Sequence, residues 1–421
     1  MTTVHPRTSG RRSPLAEEHL PLPEVRGALA ASLEGPLTVR PAVDDTGLAW
    51  LADAAEARKS AGLHREPHVR QSADGLINLA SNDYLGLSTH PDVVAGAQAA
   101  LAEWGAGSTA SRLVVGTTQL HVDFENQIAD FLGFDAALAF SSGYLANVGA
   151  ICALAGRGDL IVSDTGTHAS LIDGCRLSRA RVVVVDRGDH EAVRDALANR
   201  DEQRALVVTD SVYSIDGEPA PVAELYDAAR AHGAVLLVDE AHAFGVRGPG
   251  GRGLVAEAGL SGAPDLVVTA VMSKSLGAQG GVVLGTHAVR EHLIDCARTF
   301  IFDTGLNPAA VGAASAALAL LSANPDLPIT LGDNARRLAQ RCGAAEPAAA
   351  VISIIIGDPK QAVAAAAACR DRGVLIGCFR PPSVPEGTSR LRITVRADLD
   401  HATVDHVADV VDAALREVGV R

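Results

Sequence analysis

Lys274 lies in Met272-Ser-Lys-Ser-Leu-Gly277, between Val271 and Leu276 and ahead of a glycine-rich stretch that runs to Gly281. Apolar surroundings disfavour the charged form of an amine, so a lysine placed there is a candidate nucleophile. Four upstream segments carry groups that could serve it. Phe140-Ser-Ser-Gly-Tyr-Leu-Ala-Asn147 reads as a strand end, a Ser/Gly turn and a helix start. The free N–H groups and the dipole at such a point suit a phosphate. Asp164-Thr-Gly-Thr-His-Ala-Ser-Leu171 places His168 on a loop before a helix, and Thr209-Asp-Ser-Val-Tyr-Ser-Ile-Asp-Gly217 offers Ser214. Asp239 ends a strand, with His242 three residues on. Each feature alone has an ordinary explanation as an N-cap, a structural histidine, a turn cap or a solvated charge. Their joint order along the chain is the stronger signal.

That order matches what pyridoxal phosphate (PLP) asks of a protein. A lysine forms the Schiff base, a carboxylate keeps the pyridine nitrogen protonated, and donors hold the phosphate. A further group stacks on the ring, and another hydrogen-bonds its phenolic oxygen. Two other motifs point elsewhere and fail. Gly248-Pro-Gly-Gly-Arg-Gly253 satisfies the dinucleotide pattern G-x-G-x-x-G. Such a fingerprint directly follows a strand and opens a helix, whereas here the strand ends near Asp239, a proline interrupts the motif and no clear helix is expected. Asp239-Glu-Ala-His242 spells a helicase nucleotide motif, but the chain holds no phosphate-cradling G-x-x-x-x-G-K-[ST] loop.

The elements that must position these residues alternate. Ala205–Asp210, Ala234–Asp239 and Leu266–Val271 read as buried strands, and Pro221–His232 as an intervening helix stopped by Gly233. The spacing predicts a mostly parallel sheet, covered on both faces, with its ligand at the carboxyl ends of the strands. Asp210, Asp239 and Lys274 all fall at or just past such ends. Helical signal begins at Leu48–Gly62, and Ile77–Ala80 reads as a short strand. After about Pro308 the pattern changes to a smaller α/β domain, with strands at Val351–Ile356 and Leu391–Val395 and an Ala-rich helix at Gln361–Arg372. Residues 1–45, rich in Pro, Arg, Thr and Glu, read as a flexible extension.

The totals narrow the classes. A chain of 421 residues, 48% hydrophobic and 20% charged, suits one large core plus a smaller domain. Its net charge of −14 argues against a nucleic-acid surface. The six cysteines form no Cys-x-x-Cys pair and read as reduced thiols of a cytoplasmic protein. No apolar run reaches the ~20 residues needed to cross a bilayer, and the beginning of the sequence lacks the apolar core of a signal peptide. No metal is called for.

Ser81-Asn-Asp-Tyr-Leu-Gly-Leu87, Gly107-Ser-Thr-Ala-Ser-Arg112, His168-Ala-Ser-Leu171, Val238-Asp-Glu-Ala-His242 and Ser273-Lys274 together resemble the α-oxoamine synthases, PLP enzymes of fold-type I. The resemblance runs from about Leu48 to the C-terminus. Phe379-Arg-Pro-Pro-Ser-Val-Pro-Glu-Gly-Thr-Ser-Arg-Leu-Arg392 resembles the biotin-pathway branch of that family. It implies a 46–90 segment packed with the small domain, a PLP-binding domain over 91–308 and a small domain over 309–421. It implies an acyltransferase that joins L-alanine to pimeloyl-ACP or pimeloyl-CoA with loss of CO₂, acting as a homodimer. Lys274 would be the Schiff-base lysine and acid/base, Asp239 would pair with the pyridinium, and His168 would stack on the ring. Ser214 and His242 would lie near the phenolic oxygen, and Ser142, Gly143 and Tyr144 would hold the phosphate. Thr304 would reach that phosphate from the second subunit, and Arg392 would bind a substrate carboxylate, with Arg380 and Arg65 as further candidates. The sequence departs from the family in two places. Val271 stands where relatives commonly carry a phosphate-binding Thr; either Thr269 or Ser273 makes good that loss, or the cofactor is held less tightly. Leu63 is followed by His64 and only then by Arg65, where relatives tend to place Arg directly after the Leu. The other readings are a sister synthase taking glycine or another acyl thioester, and a non-catalytic binding protein of the same fold. Intact Lys274, Asp239 and His168 argue against the last.

Overall fold

A computed structural model describes residues 47–421 except 62, 68, 73 and 74. The predicted extension at 1–45 lies outside the described residues. The chain divides into two units at His64/Arg65. In the first, the described residues form a helix, Trp50–Ser60, with Asp53 in its first turn and Arg58 and Lys59 in its last, matching the helix macrodipole. The second unit holds eleven described strands.

β1 (Ile77–Leu79) precedes a seven-strand group: β2 (Ala136–Phe140), β3 (Leu160–Asp164), β4 (Arg181–Val185), β5 (Ala205–Asp210), β6 (Val235–Asp239), β7 (Leu266–Val271) and β8 (Gly281–Gly285). These seven form one sheet in the order β2-β8-β7-β6-β5-β3-β4. All pairs are parallel except those of β8, which is antiparallel to both neighbours. The expected sheet is therefore present, and the limits of β5 and β7 are those read from the sequence. Six of its strands are near-continuous apolar runs because both faces are covered.

Strand alternation divides the core between the two faces. Leu206, Val208, Leu237, Val267 and Val283 pack with Ala146, Ala150 and Leu171 from the helices Gly143–Leu154 and Ala169–Ser178. Val207, Leu236, Val238 and Val268 belong to the opposite face. With period 2, Asp210, Asp239, Thr269 and Val271 continue the first face at the carboxyl ends of three adjacent strands. This alternation puts polar side chains under the start of the helix Gly143–Leu154.

β9 (Val351–Gly357), β10 (Val374–Phe379) and β11 (Ser389–Thr394) form a second sheet in the order β1-β10-β11-β9. β1 runs parallel to β10, with Ile77 opposite Val374. The turn after β1 is thereby tied to the C-terminal strands, and the N–H of Ala397 donates to the Tyr84 carbonyl at 2.8 Å. Among the described residues, no helix is long and apolar enough to cross a membrane.

The loop Gly248–Gly253 differs from its expectation in one respect, because a short helix, Gly253–Glu257, does begin there. Its N–H groups are already engaged: Leu254 donates to Glu240 Oε2 at 3.0 Å and Val255 to Oε1 at 2.6 Å. A carboxylate of the chain itself occupies the place a nucleotide phosphate would need.

Candidate active site

Lys274 leaves the end of β7 and its Nζ lies 2.8 Å from His242 Nε2. On the other side of the imidazole, Nδ1 lies 2.5 Å from the hydroxyl of Tyr84, which is fully buried. Either tautomer of a neutral His242 completes a continuous chain from Tyr84 to Lys274. Arg392, 4% exposed, flanks this chain. Its Nε donates to the Ser214 carbonyl at 2.7 Å, its Nη1 donates to Asn82 Oδ1 at 3.1 Å and to Thr394 Oγ1 at 2.9 Å, and its guanidinium lies 5.5 Å from the Phe379 ring centroid. The Arg392 side chain also acts on the Tyr84 hydroxyl, lowering its pKa against the effect of burial.

Asp239 is aimed from two sides. Asn147 Nδ2 donates to its Oδ2 at 2.7 Å, and the Ala241 N–H to its Oδ1 at 2.9 Å. Asn147 is itself fixed by Thr269, whose Oγ1 donates to Asn147 Oδ1 at 2.6 Å, and its Nδ2 also reaches Ser170 Oγ at 2.9 Å. Ser170 Oγ lies 2.7 Å from His168 Nδ1, so one network orients both the carboxylate and the histidine. His168 is the N-cap of the helix Ala169–Ser178.

Burial shapes the protonation states. Burial lowers the Lys274 amine to about 8, against the opposing pull of Asp239 and Asp210. The free amine is thus present near neutral pH. His242 is pushed well below the ordinary histidine value by burial and then by Lys274 and Arg392, and His168 is lowered by burial, with Asp239 opposing. Burial pushes Tyr84 up to about 12. The site therefore contains a neutral imidazole between a phenol and a titratable amine, an arrangement that can pass a proton at Nζ.

The Ser/Gly turn has the form expected of an anion cradle. Ser142 caps the helix Gly143–Leu154, accepting from the Leu145 N–H at 3.2 Å. A Cβ on Gly143 would stand 2.2 Å from Val271 Cγ1, and a Cβ on Gly281 2.5 Å from Gly143 Cα, so glycine alone fits both places. Val271 thus packs directly on the turn. Thr269 cannot make good its missing hydroxyl, because its own is committed to Asn147. Ser273 is exposed.

The remaining predicted residues fall unevenly. Ser214 meets the cluster through its carbonyl, with Arg392 as donor. Tyr144 is 45% exposed, and its hydroxyl donates to Asp173 at 2.5 Å. Thr304 pairs with Ser111 in an isolated bridge and lines a small crevice with Ser141 and Asp303 of the same chain. Arg380 is half-buried just beyond β10, and Arg65 is exposed. A surface crevice of about 600 Å³, lined by Arg247, Ile329 and Arg336 among others, shares no residue with the Lys274 cluster. Sequence reasoning missed Asn147, Ser170 and Tyr84 as site residues. Asn147 left one signal: it is an amide one turn into an otherwise apolar helix.

Comparison with known proteins agrees with this geometry. Residues 74–411 match the family described as aminotransferase class I and II. The 8-amino-7-oxononanoate synthase of Mycobacterium sp. (strain KMS) is 59% identical over 374 residues, covering 88% of this chain and 98% of the relative. Among solved structures, SPT with its PLP internal aldimine superposes with a TM-score of 0.83 at 31% identity, covering 90% of this chain and all of that one. The 8-amino-7-oxononanoate synthase of Francisella tularensis does so with a TM-score of 0.69 at 25% identity, covering 82% and 99%.

Proposed function

The chain belongs to the aminotransferase class I and II family, and on that premise we propose that it is a PLP-dependent acyltransferase that makes 8-amino-7-oxononanoate, a biotin precursor. Its substrates are L-alanine and a pimeloyl thioester, carried on acyl-carrier protein or coenzyme A. The observation that carries this reading is 59% identity across nearly the whole length of a relative of that name, in a chain whose Lys274, His242, Asp239 and Arg392 converge.

The residues present fit PLP. A glycine-only cradle stands at a helix N-terminus, a buried carboxylate is aimed by Asn147, and a lysine lies within reach of both. Ser142, Gly143 and Tyr144 would hold the phosphate, Asp239 the pyridine nitrogen, His168 the ring face and Lys274 the carbonyl carbon. When bound, the cofactor supplies a sink for the electron pair released at the substrate Cα.

The chain's own groups do the rest. Lys274, with its amine held near 8, takes and returns the Cα proton at Nζ. His242 steadies that amine and is itself held by Tyr84. Arg392 offers its guanidinium to the alanine carboxylate, a charge-assisted contact that orients Cα. Asn147, Ser170 and Thr269 keep Asp239 and His168 in place, so little reorganisation is needed during reaction.

A homodimer accords with the apolar surface beside the cradle, where Val114, Val115 and Phe302 are 72%, 66% and 71% exposed next to the Ser111–Thr304 bridge. Such a patch suits a partner surface. Six free thiols suit a cytoplasmic setting.

The test is a product assay by mass spectrometry with PLP, L-alanine and pimeloyl thioester, set against glycine and shorter acyl thioesters. The expected result is 8-amino-7-oxononanoate in preference to the other products, abolished in Lys274→Ala. Turnover of another pair alone would move the protein to a different pathway.

A further inference from the structure

The Ser/Gly turn is held by packing on one side and by a hydrogen bond on the other. Val271 and Gly281 press on Gly143, leaving no room for a Cβ on either glycine. The other support is the segment that follows Ala297, beginning with the short helix Arg298–Ile301. The Ser141 hydroxyl donates to Asp303 Oδ2, and the Thr299 hydroxyl donates to the Leu145 carbonyl at 2.7 Å. One segment therefore grips both the residue that opens the turn and the first turn of the helix Gly143–Leu154.

That segment is itself firmly anchored. The Gly305 N–H donates to the Ala110 carbonyl at 2.9 Å. The Leu306 carbonyl accepts from Ser108 Oγ at 2.7 Å and from His121 Nε2 at 2.8 Å. His121 is fully buried, and burial, then Arg112, lowers it to about 4. The strand that leads into the turn is locked as well. Arg112 Nη1 donates to the Ala139 carbonyl at 3.2 Å, and Arg112 Nη2 pairs with Glu125 Oε1 at 2.9 Å. The same Glu125 oxygen accepts from the Ala139 N–H at 2.9 Å. Ser141 is where this frame reaches the turn. Asp303 is half-buried, and among the described residues no cation pairs with it. A negative charge near an anion cradle opposes the ligand. The bond to Ser141, not the charge, therefore accounts for Asp303 at this place.

We propose that Asp303 is a positioning residue of the phosphate cradle. Through the Ser141 hydroxyl it fixes the turn, so that the Gly143 and Tyr144 N–H groups stay aimed at the cofactor's phosphate. The proposal rests on the PLP reading above and adds to it a support from outside the turn's own motif. What acts is the acceptor oxygen, so an amide can replace the carboxylate.

The experiment compares the full chain with Asp303→Ala, Ser141→Ala, the double variant and Asp303→Asn. The two alanine variants break the same bond from opposite ends, so the test survives if one of them folds poorly. Affinity for PLP, and for pyridoxal, which lacks the phosphate, is read from the visible absorbance of the bound molecule. Each alanine variant is expected to bind PLP about tenfold more weakly, the worth of one charge-assisted bond, and pyridoxal within about twofold of the parent. The double variant should be no weaker than either single one, and Asp303→Asn should stay within about threefold of the parent. A second reading uses no cofactor. Inorganic phosphate should raise the melting temperature of the PLP-free parent more than that of either alanine variant. Alanine variants that bind PLP like the parent, or that lose PLP and pyridoxal equally as a loosened fold would, overturn the proposal alone. So does a double variant whose loss is the product of the single losses. A parent that takes up neither PLP nor pyridoxal overturns the cofactor reading, and the phosphate shift then decides the proposal by itself.

Discussion

The turn Ser141-Ser142-Gly143 and the loop Gly248–Gly253 both lead into a helix N-terminus, where N–H groups lack carbonyl partners, and they meet that need in opposite ways. In the loop, Glu240 crosses from the end of β6 and binds the N–H groups of Leu254 and Val255. In the turn, Ser142 satisfies Leu145, and among the described residues the Gly143 and Tyr144 N–H groups have no backbone partner. Both places carry glycine, and the loop alone satisfies a nucleotide-binding pattern. A motif is a site only when its donors remain unspent, and here that depends on a carboxylate outside the motif itself.

This contrast can be broken at the open turn first. Gly143→Ala puts a Cβ against Val271 Cγ1, and the cradle must open to admit it. PLP affinity is expected to fall by about a hundredfold with the fold intact, roughly two lost charge-assisted bonds, and Gly143→Ala combined with Val271→Ala should recover most of it. Equilibrium dialysis against PLP measures both.

The filled loop should respond in stability alone. Burial raises Glu240 to about 7, with the Val255 and Leu254 N–H groups opposing. Its folded pKa lies above its unfolded value, so its contribution is full below about pH 4.3 and declines as pH rises through about 7. Glu240→Gln should cost about 1–2 kcal/mol at low pH through a lost acceptor, and the deficit should shrink as pH rises. Denaturant unfolding at several pH values reads this, and PLP affinity should not move.

The smallest expected effect sharpens the comparison at the turn. Val271→Thr places a hydroxyl where a methyl now packs on Gly143. PLP should bind about fivefold more tightly, the worth of one hydrogen bond, with the product unchanged.

Much of this was legible in the sequence because apolar runs set strand ends, and strand ends set where Asp239 and Lys274 fall. The Ala-rich helix expected at Gln361–Arg372 is present as Pro359–Asp371. The relations between distant segments were not legible. Tyr84 stood in a recognised motif, yet its approach to His242 depends on β1 joining β10. Ser214 was expected near the phenolic oxygen, and nothing in its own segment marked that its carbonyl accepts from Arg392. Asn147 carried a local signal without a partner, because Asp239, Ser170 and Thr269 arrive from three other elements. Periodicity sets which face a side chain takes, and tertiary packing decides which other side chains it meets there.

The pairing of Ile77 with Val374 also bears on the order in which the enzyme is made. During synthesis, β2 through β8 are complete while the partner of β1 is still untranslated. The cradle and Asp239 can therefore form on a nascent chain that has not yet anchored Tyr84. The phenol end of the proton path is fixed only after β10 and Ala397 leave the ribosome. The contact that holds His242 is thus completed late in the synthesis of each chain, and an interrupted translation product can carry the carboxylate and the lysine without the group that steadies their histidine.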